Sequence, residues 1–294
     1  MKRIFLFIVT NLAVLALLSL VLFIVESVFG VHLMRGGTGS LLVFAAIFGF
    51  GGSLISLALS KWTTKRVMGV RVIQSAETEL ERWLVGTVKR LADQARIGMP
   101  EVGIFDAEEM NAFATGARRN AALVAVSSGL LRSLSRTQVE AVLGHEITHV
   151  VNGDMVTLAL LQGVLNTFVI FLARIIGGIV DRALLRNDRQ DSGIGFFLTT
   201  MVAQFVLGIL ASVIVCWYSR RREFRADRGG ADLAGSANMI AALQMLKRSH
   251  GQPMPPQMQA FGINTGSPTG IMRLFMTHPP LDERIAALEG SRII

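Results

Sequence analysis

Hydrophobic positions along this chain gather into long uncharged runs. The first, "IFLFIVTNLAVLALLSLVLFIV" at 4–25, would reach roughly 33 Å as a helix, the thickness of a bilayer's hydrocarbon core. It follows Lys2 and Arg3, exceeds the apolar region of a secretory signal and has no small-residue cleavage site, so a retained anchor is expected. The second, "LLVFAAIFGFGGSLISLALS" at 41–60, carries glycines that suit close helix packing in lipid. A third run, about 155–180, is interrupted by Arg174, and a fourth, about 194–218, is uncharged. Arg174 can snorkel to an interface, or runs three and four can form a partly immersed hairpin. Four transmembrane helices are the expectation.

Composition agrees, with 51% hydrophobic residues, 17% charged and a mean hydropathy of +0.51, too apolar for an ordinary soluble domain. The net charge of +8 admits nucleic acid, anionic lipid or cytoplasmic loops as its cause, and position along the chain decides. Lys2 and Arg3 precede run one. Lys61, Lys65, Arg66 and Arg71 follow run two, and Arg220, Arg221 and Arg222 follow run four. Basic residues collect on the cytoplasmic side, so both termini are expected there. Topology thereby accounts for the charge, and with one Tyr and three Trp the chain lacks the aromatic-basic patch of a nucleic-acid binder. A single cysteine, Cys216, rules out an intramolecular disulfide and a four-thiolate zinc site.

The period changes ahead of run three. In "SRTQVEAVLGHEITHVVNGD", Ser135 and Gln138 have capping-box spacing, and Val139, Val142 and Leu143 begin an apolar stripe. On a helix, His145 and His149 then project from one face a turn apart, with Glu146 beside them, a pattern suited to one zinc ion and a general base. Polar Ser135, Arg136, Thr137, Gln138 and Glu140 place this helix at the membrane's edge rather than at lipid depth. A further ligand must come from elsewhere. In "SRRREFRADRGGADLAG", Glu223 and Asp227 are four apart and share a helical face, so one can bind metal while the other holds a ligand histidine. A solvated face with ordinary ion pairs is the competing reading. Ala226, Gly229, Gly230, Ala231 and Ala234 would let the two helices approach closely.

"HEITH", "EFRAD" some seventy residues later, "NAFATG" at 111–116 and "THPPLDERI" at 277–285 together resemble the HtpX heat-shock membrane proteases, relatives of the CAAX prenyl proteases. The resemblance covers nearly the whole chain, except that the 181–193 loop and the 250–275 segment match no pattern. It implies a mainly α membrane protein with four transmembrane helices and a cytoplasmic zincin-like (gluzincin) α+β catalytic domain carrying a small β-sheet. It implies zinc held by His145, His149 and Glu223, Glu146 as general base, a catalytic role for His278, and Asn111 in an edge strand that takes the substrate backbone. It also implies quality control of misfolded membrane proteins in the bacterial inner membrane, in partnership with the FtsH system. From the residues alone, His278 is a loop histidine before two prolines that start the helix "LDERIAALE", while Asp154 can cap a span or support the site.

The expected organisation is an anchor at 1–60, a first protease segment at 61–154, a transmembrane pair at 155–218 and a second protease segment at 219–294. "VGIFD", "AFAT" and "ALVAVSS" read as short strands, with "GARRN" as a turn. A catalytically idle scaffold is the reading from a different class. The intact Glu146 between both histidines argues against it.

Overall fold

The computed structural model describes residues 38–184, 194–249 and 270–290. Run 4–25 lies outside the described residues, as do 185–193 and 250–269. Contacts divide the chain into two compact units, one formed by residues up to Ser56 with Leu158–Val215, the other by Leu57–Thr157 with Cys216 onward.

Three helices among the described residues are long and apolar enough to cross a membrane: α1 (Thr38–Met68), α5 (Asp154–Leu184) and α6 (Ile194–Ala234). In the first unit, α1 and α5 meet through small residues. A Cβ on Gly49 would lie 2.4 Å from Thr167 Oγ1, and one on Gly163 would lie 2.7 Å from the Phe50 ring. Close backbone approach of this kind maximises dispersion between helices, which lipid otherwise solvates equally well. Arg174 interrupts the apolar run without breaking the helix, and its guanidinium lies 4.1 Å from the Phe44 ring centroid. Large side chains such as Phe168, Phe197, Phe205 and Leu210 are exposed, as a lipid-facing surface requires.

The sequence pattern separates run four from the charged helix after it, whereas the structure makes them one helix, α6. Between Ser219 and Arg228 stand mostly good helix formers and no proline, so nothing stops propagation. At 1.5 Å per residue its 41 residues reach about 60 Å, twice the hydrocarbon thickness, so the charged end lies outside the span.

The second unit holds the mixed sheet. Its strands are β1 (Arg71–Val72), β2 (Glu101–Phe105), β3 (Ala112–Thr115) and β4 (Leu123–Ser127), in the order β1-β2-β4-β3. β2 and β4 are parallel, and β1 and β3 flank them antiparallel. Segment 116–122 between β3 and β4 contains one 3₁₀ turn, Arg119–Ala121. The helices are α2 (Glu79–Gln94), α3 (Ser128–Ser133), α4 (Arg136–Asn152), α7 (Ser236–Arg248) and α8 (Leu281–Gly290).

Alternation in β4 explains the layering. Val124 and Val126 face the main core with Leu84, Leu91, Val142, Ile147, Leu243 and Leu288, while Leu123 and Ala125 join Met68, Phe105 and Phe113 on the other side. Capping boxes close the starts of α2 (Thr78 with Glu81) and α4 (Ser135 with Gln138). Gly153, at φ +67°, ends α4 by returning its N–H to the carbonyls of His149 and Val150. This left-handed cap turns the chain within one residue, so Asp154 opens α5 directly.

β4 passes straight into α3 where Gly129 packs against backbone: a Cβ there would lie 2.0 Å from Glu108 O. Gly129→Ala should therefore destabilise by about 2 kcal/mol or more, whereas Gly86→Ala in α2, with nothing within 4 Å, should be neutral or stabilising. Thermal unfolding of the detergent-solubilised chain compares the two. Equal melting temperatures for both variants would refute the backbone clash.

Candidate metal centre

Two helices meet through glycine to build this site. A Cβ on Gly230 would sit 3.0 Å from His145 N, and one on Gly144 would sit 3.3 Å from Gly230 Cα. With no side chain between them, the helix that carries the histidines lies against the one that carries the acids. His145, His149 and Glu223, all buried, then bring one ligand atom each within 4.8 Å of one another.

Proton bookkeeping shows what this group lacks. Asp227 Oδ1 lies 2.9 Å from His145 Nδ1, and Asp154 Oδ2 lies 2.6 Å from His149 Nδ1. An ionised carboxylate only accepts, so each Nδ1 carries the ring's proton and each Nε2 presents a lone pair. Those two Nε2 atoms stand 3.2 Å apart. Glu223 Oε2 is 3.5 Å from the first and Oε1 is 3.3 Å from the second. Acceptors facing acceptors at this distance require extra protons or a cation between them. His278 donates to Glu223 Oε2 at 2.8 Å, while buried Oε1 has no hydrogen-bond partner among the described residues. One carboxylate oxygen is held and the other is free for a ligand bond. The donor set, two imidazoles and a carboxylate with carboxylates behind the rings, fits a divalent metal ion.

The surrounding carboxylates favour positive charge on the rings. Burial works against a charged His145 ring, but Asp227 and Glu223 outweigh it and raise its pKa to about 9. His149 is raised too, burial being overcome by the charge of Glu223 and the bond to Asp154.

Each residue singled out in the sequence has a definite place here. Glu146 follows His145 and is 5% exposed. Asp227 stands behind His145. Asp154, left between two roles by the sequence, hydrogen-bonds His149 while opening α5. Asn111 immediately precedes edge strand β3; its N–H bonds Ser127 Oγ and its carbonyl accepts from Ser127 N. Asn111 is fully buried, and its side-chain amide has no partner among the described residues.

Sequence reasoning missed Arg284. Buried in α8, its guanidinium donates to both oxygens of Asp227, Nε to Oδ2 at 2.7 Å and Nη2 to Oδ1 at 2.5 Å. Nη1 lies 3.7 Å from Glu223 Oε2. Burial opposes its charge, but Asp227 and, more weakly, Glu223 and Glu146 raise its pKa. A signal existed: Leu281, Arg284 and Leu288 are the buried positions of α8, an arginine at helical spacing within an apolar stripe. A cation there requires a buried anion.

Comparison with known proteins gives the geometry its family. Residues 78–292 match Peptidase family M48. The chain belongs to this family. As an M48 peptidase it is a metalloprotease, and its apolar helices make it a multi-pass membrane protein. It is 60% identical to a protein named Protease HtpX homolog from Thiobacillus denitrificans, over 99% of both chains. Similarity to Protease HtpX of Alkalilimnicola ehrlichii is 59%, again over 99% of both. Among solved structures, Ste24p of S. mikatae shares the fold, with a TM-score of 0.60 at 18% identity, covering 92% of this chain and 66% of that one.

Asp227→Asn should put an amide against His145 Nδ1 and deprive Arg284 of its bidentate carboxylate partner, lowering metal affinity about 10- to 100-fold in chelator competition. Because metal must displace the proton held up to about pH 9 on His145, uptake at pH 7 should release protons into a weakly buffered indicator solution. Apparent affinity should climb as pH rises from 7 towards 9 and flatten above it. Affinity independent of pH over that interval would contradict the proton bookkeeping.

Proposed function

We propose that this chain is a zinc-dependent endopeptidase that hydrolyses peptide bonds of misfolded or damaged membrane proteins at the cytoplasmic face of a bacterial inner membrane. One observation carries the reading. Three acceptor-only ligand atoms converge beside Glu146 on a helix that ends, at Gly153, one residue before an apolar helix begins. Zinc suits two imidazoles and one carboxylate, and when bound it supplies a Lewis acid that polarises a carbonyl and acidifies water.

The chain's own residues supply the rest. Glu146 accepts a proton from water as the water oxygen adds to the scissile carbonyl carbon. It returns that proton to the nitrogen as the C–N bond breaks, leaving a carboxylate and an amine. Asp154 and Asp227 keep both histidine rings in the tautomer that exposes Nε2. His278 orients Glu223 through Nδ1; that proton being committed, its Nε2 can donate to the tetrahedral oxyanion only from the protonated ring. β3 is an edge strand among the described residues, and from Asn111 onward its outer side, unpaired among them, supports binding of an extended substrate backbone with little demand on sequence.

Orientation rests on charge: Lys61, Lys65 and Arg66 near the end of α1, and Arg220, Arg221 and Arg222 after the apolar part of α6, support a cytoplasmic site. A place in stress-response quality control beside the FtsH system is part of the proposal, supported by the family resemblance.

Purified Glu146→Gln protein should hold close to one zinc per chain by mass spectrometry and lose casein cleavage by about 10²-fold or more. Undiminished cleavage would remove Glu146 from this role, and zinc-free wild-type protein unable to take up the metal would remove the proposal.

A further inference from the structure

The 3₁₀ turn Gly270–Phe275, "GIMRLF", takes no part in the chemistry above. Ile271 is 76% exposed, Met272 69%, Leu274 46% and Phe275 41%. Four large apolar side chains in six residues, all turned outward, form a patch that soluble surfaces avoid. The turn's backbone is nevertheless tied down. Arg220 Nη1 donates to Leu274 O at 3.0 Å and to Met276 O at 2.7 Å, and the Cys216 thiol donates to Phe275 O at 3.3 Å.

Those two anchors sit one turn apart on α6, where the apolar run ends and Arg220, Arg221 and Arg222 begin. Between them Trp217 is 51% exposed, with the Arg221 guanidinium 5.2 Å from its ring centroid. An exposed indole with a cation over it at the end of a spanning helix marks the headgroup boundary. Within one turn of helix, about 5.4 Å of rise, the same boundary reaches the carbonyls of Leu274, Phe275 and Met276.

We propose that the 270–275 turn is a second bilayer contact, with Ile271, Met272, Leu274 and Phe275 immersed in the interfacial layer that surrounds the end of α6. Lipid is the occupant because the patch is anchored to a helix that lipid already surrounds. The contact then bears on the site. Only Met276 and Thr277 separate Phe275 from His278, which holds Glu223, so the segment that places this histidine is seated on the membrane as well as on α6.

Two full-length variants test the proposal, Met272→Cys and Ile271→Cys, each in a Cys216→Ser background. Each is labelled with bimane and reconstituted into nanodiscs of phosphatidylcholine and phosphatidylglycerol. Lipids spin-labelled just below the headgroup should quench the dye at both positions, and aqueous iodide should quench it several-fold less than free bimane. Iodide quenching as strong as for free bimane would overturn the proposal. So would protection from both quenchers, the result expected if residues 250–269 or a second copy of the chain cover the patch. Emission is read without metal or substrate, so the outcome does not depend on the proposed peptidase mechanism.

Discussion

Two histidine lone pairs held 3.2 Å apart in a buried pocket are the constraint on which the rest of this site depends. The arrangement is unfavourable by itself and becomes favourable only with positive charge between the rings. Carboxylates behind the rings enforce it. Asp154 and Asp227 each commit a ring proton to Nδ1, so neither imidazole can relieve the conflict by changing tautomer. Glu146, Asp154, Glu223 and Asp227 are all nearly or fully buried, and Arg284 is the fully buried cation among them. Such an excess of buried anions must be compensated. The raised pKa values of both histidines answer it in part, and a divalent ion answers it better because it neutralises the cluster while satisfying both lone pairs.

Arg284 links this pocket to the far end of the chain. Its bidentate grip fixes the carboxylate plane of Asp227, which fixes the ring of His145. His278, three residues ahead of α8, fixes Glu223. One short helix and the loop leading into it therefore position two of the acids that α6 contributes, and the glycines of α6 allow those acids to reach the histidines. Removing any of these supports disturbs a network whose members share partners, so their effects are not additive.

The same residues tie chemistry to membrane. Gly153 caps the metal-site helix and Asp154 opens an apolar one. Continuous α6 carries lipid-type residues at one end and Glu223 with Asp227 at the other.

Much of this was legible in the order of residues alone. The apolar runs at 41–60, 155–180 and 194–218 are helices in the structure because length and hydrophobicity act locally. HEITH on a capped helix followed from the 3.6-residue period and the Ser135–Gln138 box, and the short strands from alternation. A shared helical face for Glu223 and Asp227 needed only their spacing of four. What sequence could not decide were relations between distant segments. The choice of Asp154 for His149, the burial of Arg284 against Asp227, the placing of His278 on Glu223 rather than in a free loop, and the fusion of span and acid-bearing helix into α6 all depend on which surfaces meet. Local periodicity is written in neighbouring residues; hydrogen bonds between groups 55 or 57 positions apart exist only once glycine-lined helices have packed and closed those loops.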